Sequence, residues 1–452
     1  MLFTTFVSYY SALFIYGMSD TKDADRLVAG GKRNRWQKMI LWISVFLHLF
    51  ILGLFKYFNF FIDNLQCLFS LLGIDYAYLD GVSRIGLPLG ISFYIFQSLS
   101  YTIDVYRGHV KASRNWLKYA TYITMFPQLV AGPIVRYSSI EQHLNHPEVK
   151  LDNVVDGIQR FIIGLAKKVL IANTMGRIAD QVFQPGTELL STAEAWVGVL
   201  AYALQIYYDF SGYSCMAIGL GKMIGFNFPE NFNYPYVSRS VKEFWQRWHI
   251  SLSKWFRDYV FLPLVYSMSN NLRNENYFRI RTNIILYITG TMITMSLCGF
   301  WHGAGWNFII WGTYFGIFLS IEQIGLGKIL KKLPRFISHV YTILVLLVGW
   351  VIFRAENIGE IQRLLNAMFF FTPESHYASL QYLNPENLLV FLFGVLFSMP
   401  VIPNSIKRIE LKLRRLKIFL DLVLVGSLMV LFFLSIVNIA SGSFNPFLYF
   451  RF

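Results

Sequence analysis

Long apolar runs separated by short clusters of lysine and arginine dominate this chain. The runs cover residues 2–18, 39–55, 85–106, 116–135, 193–226, 283–300, 307–320, 336–353, 388–401 and 418–440. A helix of about 20 apolar residues reaches across a bilayer, so the pattern predicts about ten membrane segments, spanning or re-entrant. Pro127 and Pro133 interrupt the run 116–135. A kink or half-helix is expected there, with freed carbonyls that need partners. Residues 57–79 are aromatic and mildly amphipathic, as at an interface, with Lys56-Tyr57 marking the far edge of the preceding span.

Two other stretches are amphipathic at helical spacing. Residues 152–180 set Arg160, Lys167, Lys168 and Arg177 against Phe161, Ile162, Leu165 and Leu170. Residues 241–260 place Phe244, Trp245, Trp248, Leu252, Trp255, Phe256 and Tyr259 on one face, with Lys242, Glu243, Arg247, Lys254, Arg257 and Asp258 on the other. Both read as interfacial helices. The basic clusters are Lys22, Arg26, Lys32, Arg33, Arg35 and Lys38; then Lys328, Lys331, Lys332 and Arg335; then Lys407, Arg408, Lys412, Arg414, Arg415 and Lys417. Placed together on the cytoplasmic side, they thread the chain consistently and leave residues 354–386 as a polar external loop. The absence of an internal repeat weighs against a secondary transporter.

Composition narrows the class further. The 452 residues are 55% hydrophobic, 18% aromatic and only 15% charged, where a soluble domain carries about 25% charged residues. The expected fold is therefore an all-α polytopic membrane domain spanning residues 1–452, located in the cell membrane. The period and length of the runs argue against a β-barrel. The net charge of +14 suits loops facing anionic lipid. No basic patch belongs to a nucleic-acid module, so no nucleic-acid partner is expected. Cys67, Cys215 and Cys298 lie in apolar sequence without a C-x-x-C pair and are expected to be buried, inert thiols. Met1 leads straight into an apolar segment, so no cleavable signal peptide is expected.

The chemistry centres on Cys298-Gly299-Phe300-Trp301-His302-Gly303-Ala304-Gly305-Trp306-Asn307-Phe308. It sets one imidazole among apolar and small residues, which is costly unless the ring is hydrogen-bonded or has a task. His302 could be a general base or acyl acceptor, a proton relay in a transporter, or an interhelical hydrogen-bonding group. His249 lies at the edge of the aromatic face of residues 241–260, either as a boundary residue or as a second site histidine. Asp209 stands within an apolar run, as a polar staple or as a group supporting the site. A relay would need further intramembrane acids, and only Asp104 and Asp209 qualify. His143 and His146 occupy a polar loop with no further ligand cluster, so no metal is expected.

Several stretches resemble the membrane-bound O-acyltransferase superfamily, and within it the bacterial alginate O-acetylation branch. They are Trp301-His302-Gly303-Ala304-Gly305-Trp306-Asn307-Phe308, residues 126–137 (FPQLVAGPIVRY), Tyr208-Asp209-Phe210-Ser211-Gly212-Tyr213-Ser214, residues 228–236 (FPENFNYPY), residues 244–253 (FWQRWHISLS) and residues 447–452 (FLYFRF). The resemblance implies a ring of helices around a thin centre, where a cytoplasmic tunnel meets an external funnel. It implies His302 as the essential histidine and His249 as its companion, with Asp209, Ser211, Tyr213, Trp306 and Asn307 as supporting residues. No bound cofactor is implied; the donor would be acetyl-CoA or another acyl thioester. The acceptor would be an extracytoplasmic polysaccharide, with an SGNH-type acetyltransferase and polysaccharide synthase or export machinery as partners. D-alanyl transfer to teichoic acid is the neighbouring alternative. One departure stands out: Cys215 occupies a position where the resembled motif carries an acid.

Overall fold

In the computed structural model, helices account for 78% of the described residues. The structure describes all residues except 19–26, 28, 75–78, 80, 147, 185–189, 273, 278–279, 373–381, 383, 402–404, 406–416, 443–446 and 449–452. Lys22, Arg26, Lys407, Arg408, Lys412, Arg414, Arg415 and the end of the 447–452 motif therefore lie outside the described residues. The only strands among the described residues pair Asn276–Tyr277 with Ile280–Arg281.

The first helix, α1, is Leu2–Gly17. Helix α2 runs unbroken from Arg35 to Leu71, started by a capping box in which Asn34 and Gln37 satisfy each other's backbone N–H. The expected division at Lys56-Tyr57 is not an end. Gly53–Tyr57 forms a π-bulge, and the helix continues through residues that had been expected to form a separate interfacial segment. A π-bulge inserts a residue and redirects side chains without stopping the helix, and periodicity does not reveal it.

Helix α3 (Ile91–Arg107) is buried along nearly its whole length. Helix α4 covers only Trp116–Thr124, and a single turn, Phe126–Leu129, follows it. The 116–135 run is thus a broken half-helix and not a crossing. At the break, Gln128 Nε2 donates to the Tyr122 carbonyl at 2.8 Å, supplying the kind of partner a proline break requires. Helix α5 is Tyr137–Asn145.

Helix α6 (residues 151–182) lies along α7 (Thr192–Met223). Glycines let the two backbones touch. A Cβ on Gly164 would meet the Gly212 carbonyl at 2.6 Å, and one on Gly157 would meet that of Gly219 at 2.7 Å.

Residues 241–260 do not form one helix. Helix α8 (Val241–Arg247) ends at Trp248, and a new helical run, α9 (residues 250–271), begins after His249. His249 takes left-handed backbone angles, φ 42 and ψ 54, which cost a residue with a Cβ about 1–2 kcal/mol. A neighbouring segment holds the break open: the Ile250 N–H donates to the Asn231 carbonyl at 2.9 Å, and the Asn233 N–H to that of Arg247 at 2.9 Å. These tertiary bonds replace helical ones, so the amphipathic period continues across a backbone that does not.

Helices α10 (Thr282–His302) and α11 (Trp306–Lys332) form a hairpin, followed by α12 (Arg335–Arg354). The expected external loop then contains an amphipathic helix, α13 (Ile358–Phe369), which buries Ile361, Leu364, Ala367 and Met368. Helix α14 is Pro385–Phe397 and α15 is Lys417–Ala440. Among the described residues, α2, α10, α11, α12 and α15 are long and apolar enough to cross a membrane; α1 and α14 are shorter apolar helices. Most of α15 presents apolar side chains outward, as lipid requires and water would penalise. Cys298 is buried, but Cys215 is half-buried and Cys67 exposed, so burial holds for only one of the three expected thiols. Cys67 lies on the outward side of α2, where lipid rather than protein can cover an apolar position.

Two apolar cores result. One joins the later part of α6 to α7, α8, α11, α12 and α13; the other joins α1, α3, α4, α5, α9 and the end of α10. Trp301 belongs to the second core and Trp311 to the first. His302 sits at the seam between them.

Candidate active site

His302 is the last residue of α10. Gly303 and Gly305 are extended, and α11 restarts at Trp306. The hairpin is tight because a Cβ on Gly299 would collide with the Phe308 carbonyl, and one on Gly303 with the Phe308 ring. The His302 ring is packed edge-on by Trp301, Trp311 and Phe353, with centroids at 4.9, 5.1 and 5.3 Å. No hydrogen bond to its ring nitrogens is seen among the described residues. The ring borders a narrow cavity of about 30 Å³, shared with Asp209, Phe210, Trp248, Trp311, Trp350 and Leu448. That is room for about two water molecules. Among the described residues, His302 and Asp209 are the ionisable groups on its wall, and the buried Trp311 indole N–H has no hydrogen-bond partner.

Asp209 bridges three elements. It forms a buried ion pair with Lys168 of α6 and accepts the Leu448 backbone N–H at 2.9 Å. Phe447 and Leu448 are thereby seated against the cavity. A buried carboxylate paired in this way holds its surroundings in one arrangement.

His249 is fully buried, one ring behind the cavity wall. Phe210 packs edge-on against it at 4.5 Å. Its Nδ1 lies 3.1 Å from Asn231 Oδ1, which also accepts the Ser251 N–H at 3.1 Å and the Ser251 hydroxyl at 2.9 Å. An oxygen already accepting two donors fixes Nδ1 as the protonated nitrogen and leaves Nε2 with its lone pair. Nε2 is buried without a partner among the described residues. Burial, and secondarily the nearby His302, holds His249 well below the ordinary histidine range, so it is neutral.

The remaining expected site residues divide. Asn307 Nδ2 donates to the Ala355 carbonyl at 2.9 Å and so joins the start of α11 to the end of α12. Trp306 does not border the cavity; it is 56% exposed and donates to Asn64 Oδ1 at 3.0 Å. The first turn of α11 points it outward. Tyr213 packs on Phe447 at 4.8 Å and so stands behind the wall. Ser211 is buried, its hydroxyl has no partner among the described residues, and it does not line the cavity. Asp104, near the C-terminal end of α3, accepts the Tyr259 hydroxyl at 2.7 Å and does not line the cavity.

Sequence reasoning passed over Lys56, Asn231, Lys168 and Leu448. Lys56 is buried and donates to the carbonyls of Trp301 at 2.5 Å and His302 at 3.1 Å. An ionisable residue within a 37-residue apolar helix was the available signal.

The ends of the helices also order the site. From Arg35 to Lys56, α2 climbs about 30 Å at about 1.5 Å per residue. Helix α12 makes a similar climb from Arg335 to the Phe353–Ala355 turn that meets Asn307. The basic clusters at Arg33, Arg35 and Lys38 and at Lys331, Lys332 and Arg335 therefore lie a bilayer's thickness from His302.

These features define a polytopic membrane protein with one buried histidine, His302, at a narrow internal cavity and a second, His249, one ring behind its wall. Residues 106–326 match the model of the MBOAT, membrane-bound O-acyltransferase family. Over 94% of its length, the chain is 39% identical to a protein of Azotobacter vinelandii named "Probable alginate O-acetylase AlgI", covering 87% of that protein. It is 40% identical to the protein of the same name from Pseudomonas putida, over 94% of this chain and 86% of that one. A "Peptidoglycan O-acetyltransferase" of Helicobacter pylori is 33% identical over 74% of the chain and 65% of its own length. The chain belongs to the membrane-bound O-acyltransferase family, and it is an O-acyltransferase.

Proposed function

We propose that the protein moves an acetyl group from a cytoplasmic thioester, acetyl-CoA, to a hydroxyl of an extracytoplasmic cell-surface polysaccharide, with His302 as general base. The observation that carries this reading is the His302 ring, without a hydrogen bond among the described residues, at a cavity a bilayer's thickness from the basic clusters. Basic loops face the cytoplasm, so a donor entering there meets His302 near the opposite face of the cell membrane.

In the proposed step, a neutral imidazole takes the proton of the acceptor hydroxyl as its oxygen attacks the thioester carbonyl. The tetrahedral oxyanion collapses, the carbon–sulfur bond breaks, and the imidazolium returns its proton to the leaving thiolate. The Trp311 N–H is a donor available to the oxyanion. His249, with its proton held on Nδ1, acts by position. The small cavity favours an acetyl group over a longer chain, in keeping with the O-acetylase and O-acetyltransferase names of the relatives. An SGNH-type partner, beside synthase or export machinery, would bring the polysaccharide hydroxyl to this site from the extracytoplasmic side.

The test is acetyl transfer by purified protein from labelled acetyl-CoA to alginate and cello-oligosaccharides, with a D-alanyl carrier thioester as a second donor. His302→Ala is expected to abolish transfer above background; undiminished transfer would refute the assignment. Preference for the D-alanyl donor would replace the acetyl reading.

A further inference from the structure

We infer that Lys56 is a positioning residue for His302: its ammonium, turned inward by the π-bulge in α2, caps the C-terminal end of α10 and fixes the backbone that presents the imidazole. The inference rests on the catalytic reading of His302.

The last carbonyls of a helix lack intrahelical partners and carry the negative end of its dipole. In α10 these belong to the residues around His302, inside the protein, with the Gly303-Ala304-Gly305 turn immediately after them. Side chains of α2 satisfy them. Lys56 Nζ donates to the carbonyls of Trp301 and His302 and lies 3.4 Å from Ser92 Oγ on α3. Tyr57 donates to the Phe300 carbonyl at 2.8 Å and stacks on the Phe300 ring at 4.0 Å. Three consecutive carbonyls are thus held by two adjacent side chains.

On a regular helix, adjacent side chains diverge by about 100° and could not both reach one helix end easily. The bulge at Gly53–Tyr57 lies at this very point. An ammonium in a membrane-spanning helix is costly unless its donors are used, and all three N–H groups of Lys56 have an acceptor here. The ammonium also lies 5.6 Å from the centre of the Trp301 ring, one of the walls against which His302 packs. Lys56 touches no reacting atom in this arrangement; it acts by holding His302.

The test compares wild type, K56M, K56R and H302A, each purified in detergent. Methionine keeps the length and removes the donors. K56M is expected to lower kcat by about 100-fold, the cost of a misplacement of about 1 Å, while the donor KM stays within about twofold because ground-state binding is left intact. K56R, which restores donors, is expected to recover part of kcat. Hydrogen exchange gives a second readout independent of catalysis: amides of residues 303–306 should exchange faster in K56M. Wild-type kcat in K56M beside an inactive H302A would overturn the inference. So would unchanged exchange at residues 303–306, whatever the activity. An active H302A would instead remove the catalytic reading, and the exchange result would still judge the contact.

Discussion

Asn231→Ala tests whether the break between α8 and α9 is held from outside the helices. The Asn231 carboxamide oxygen accepts from the Ser251 N–H, the Ser251 hydroxyl and His249 Nδ1, and its Nδ2 donates to Ser214 Oγ at 3.1 Å. Alanine leaves the backbone bond from Ile250 in place but removes these four and a longer bond from Nδ2 to the Gly132 carbonyl at 3.4 Å. The serine hydroxyls can rotate towards other acceptors. The Ser251 N–H and the His249 N–H are fixed and buried. An unpaired buried donor costs about 1–3 kcal/mol, so the pair sums to about 2–6 kcal/mol before relaxation. With some water entering the vacated space, about 3 kcal/mol is a reasonable expectation. For a chain of this size that lowers the melting midpoint by roughly 3 °C, measured in detergent by tryptophan fluorescence or by size exclusion of heated samples. Acyl transfer should fall with it, because nothing else sets the His249 tautomer. A variant that melts with wild type and retains full transfer would refute the claim that Asn231 holds the break and orients His249.

Three further outcomes follow from particular contacts. At the left-handed position, His249→Gly should be more stable than His249→Ala by about 1 kcal/mol, since only glycine adopts that backbone without penalty; an equal or reversed order of melting would show that the φ of 42 carries no strain. Gly299→Val should prevent close approach of α10 and α11, because its Cβ would strike the Phe308 carbonyl and lie 3.0 Å from Gly312 Cα. The expected loss is at least about 1–3 kcal/mol, read as reduced recovery of monodisperse protein, and normal recovery would count against this packing. Cys215→Asp should place a carboxylate beside Lys167 Nζ, now 3.5 Å from the thiol sulfur. At a half-buried position a gain of about 0.5–1 kcal/mol is expected. The gain should shrink as salt rises, and a fall in melting temperature at low salt would contradict the pairing.

The sequence by itself determined the features that depend on composition and short-range pattern. Apolar length and low charge specify membrane helices, and lysine and arginine clusters order them. His302 could be singled out because an imidazole between small and aromatic residues is expensive wherever the chain places it. Its motifs carried the family resemblance, which the comparisons with known proteins bear out. The proline-broken stretch around Pro127 was legible for the same local reason, a missing donor in the backbone.

Only the tertiary structure decided how distant segments complete one another. The break at His249 is invisible to periodicity because Trp245, Trp248, Leu252 and Trp255 keep an apolar face while Asn231 supplies the bonds that a continuous helix would have made. Lys56 read as the edge of a span because a charge in an apolar run usually marks the water interface. Its actual role depends on the carbonyls of Trp301 and His302, some 245 residues away in sequence. Trp306 and Asn307 are neighbours in one motif, yet the helical turn sends the first outward to Asn64 and the second inward to Ala355. Asp209 was suspected from its apolar setting, but its partners, Lys168 and the Leu448 backbone, come from two other segments. A buried polar group is satisfied by whatever the fold brings to it, and the local sequence does not contain that information.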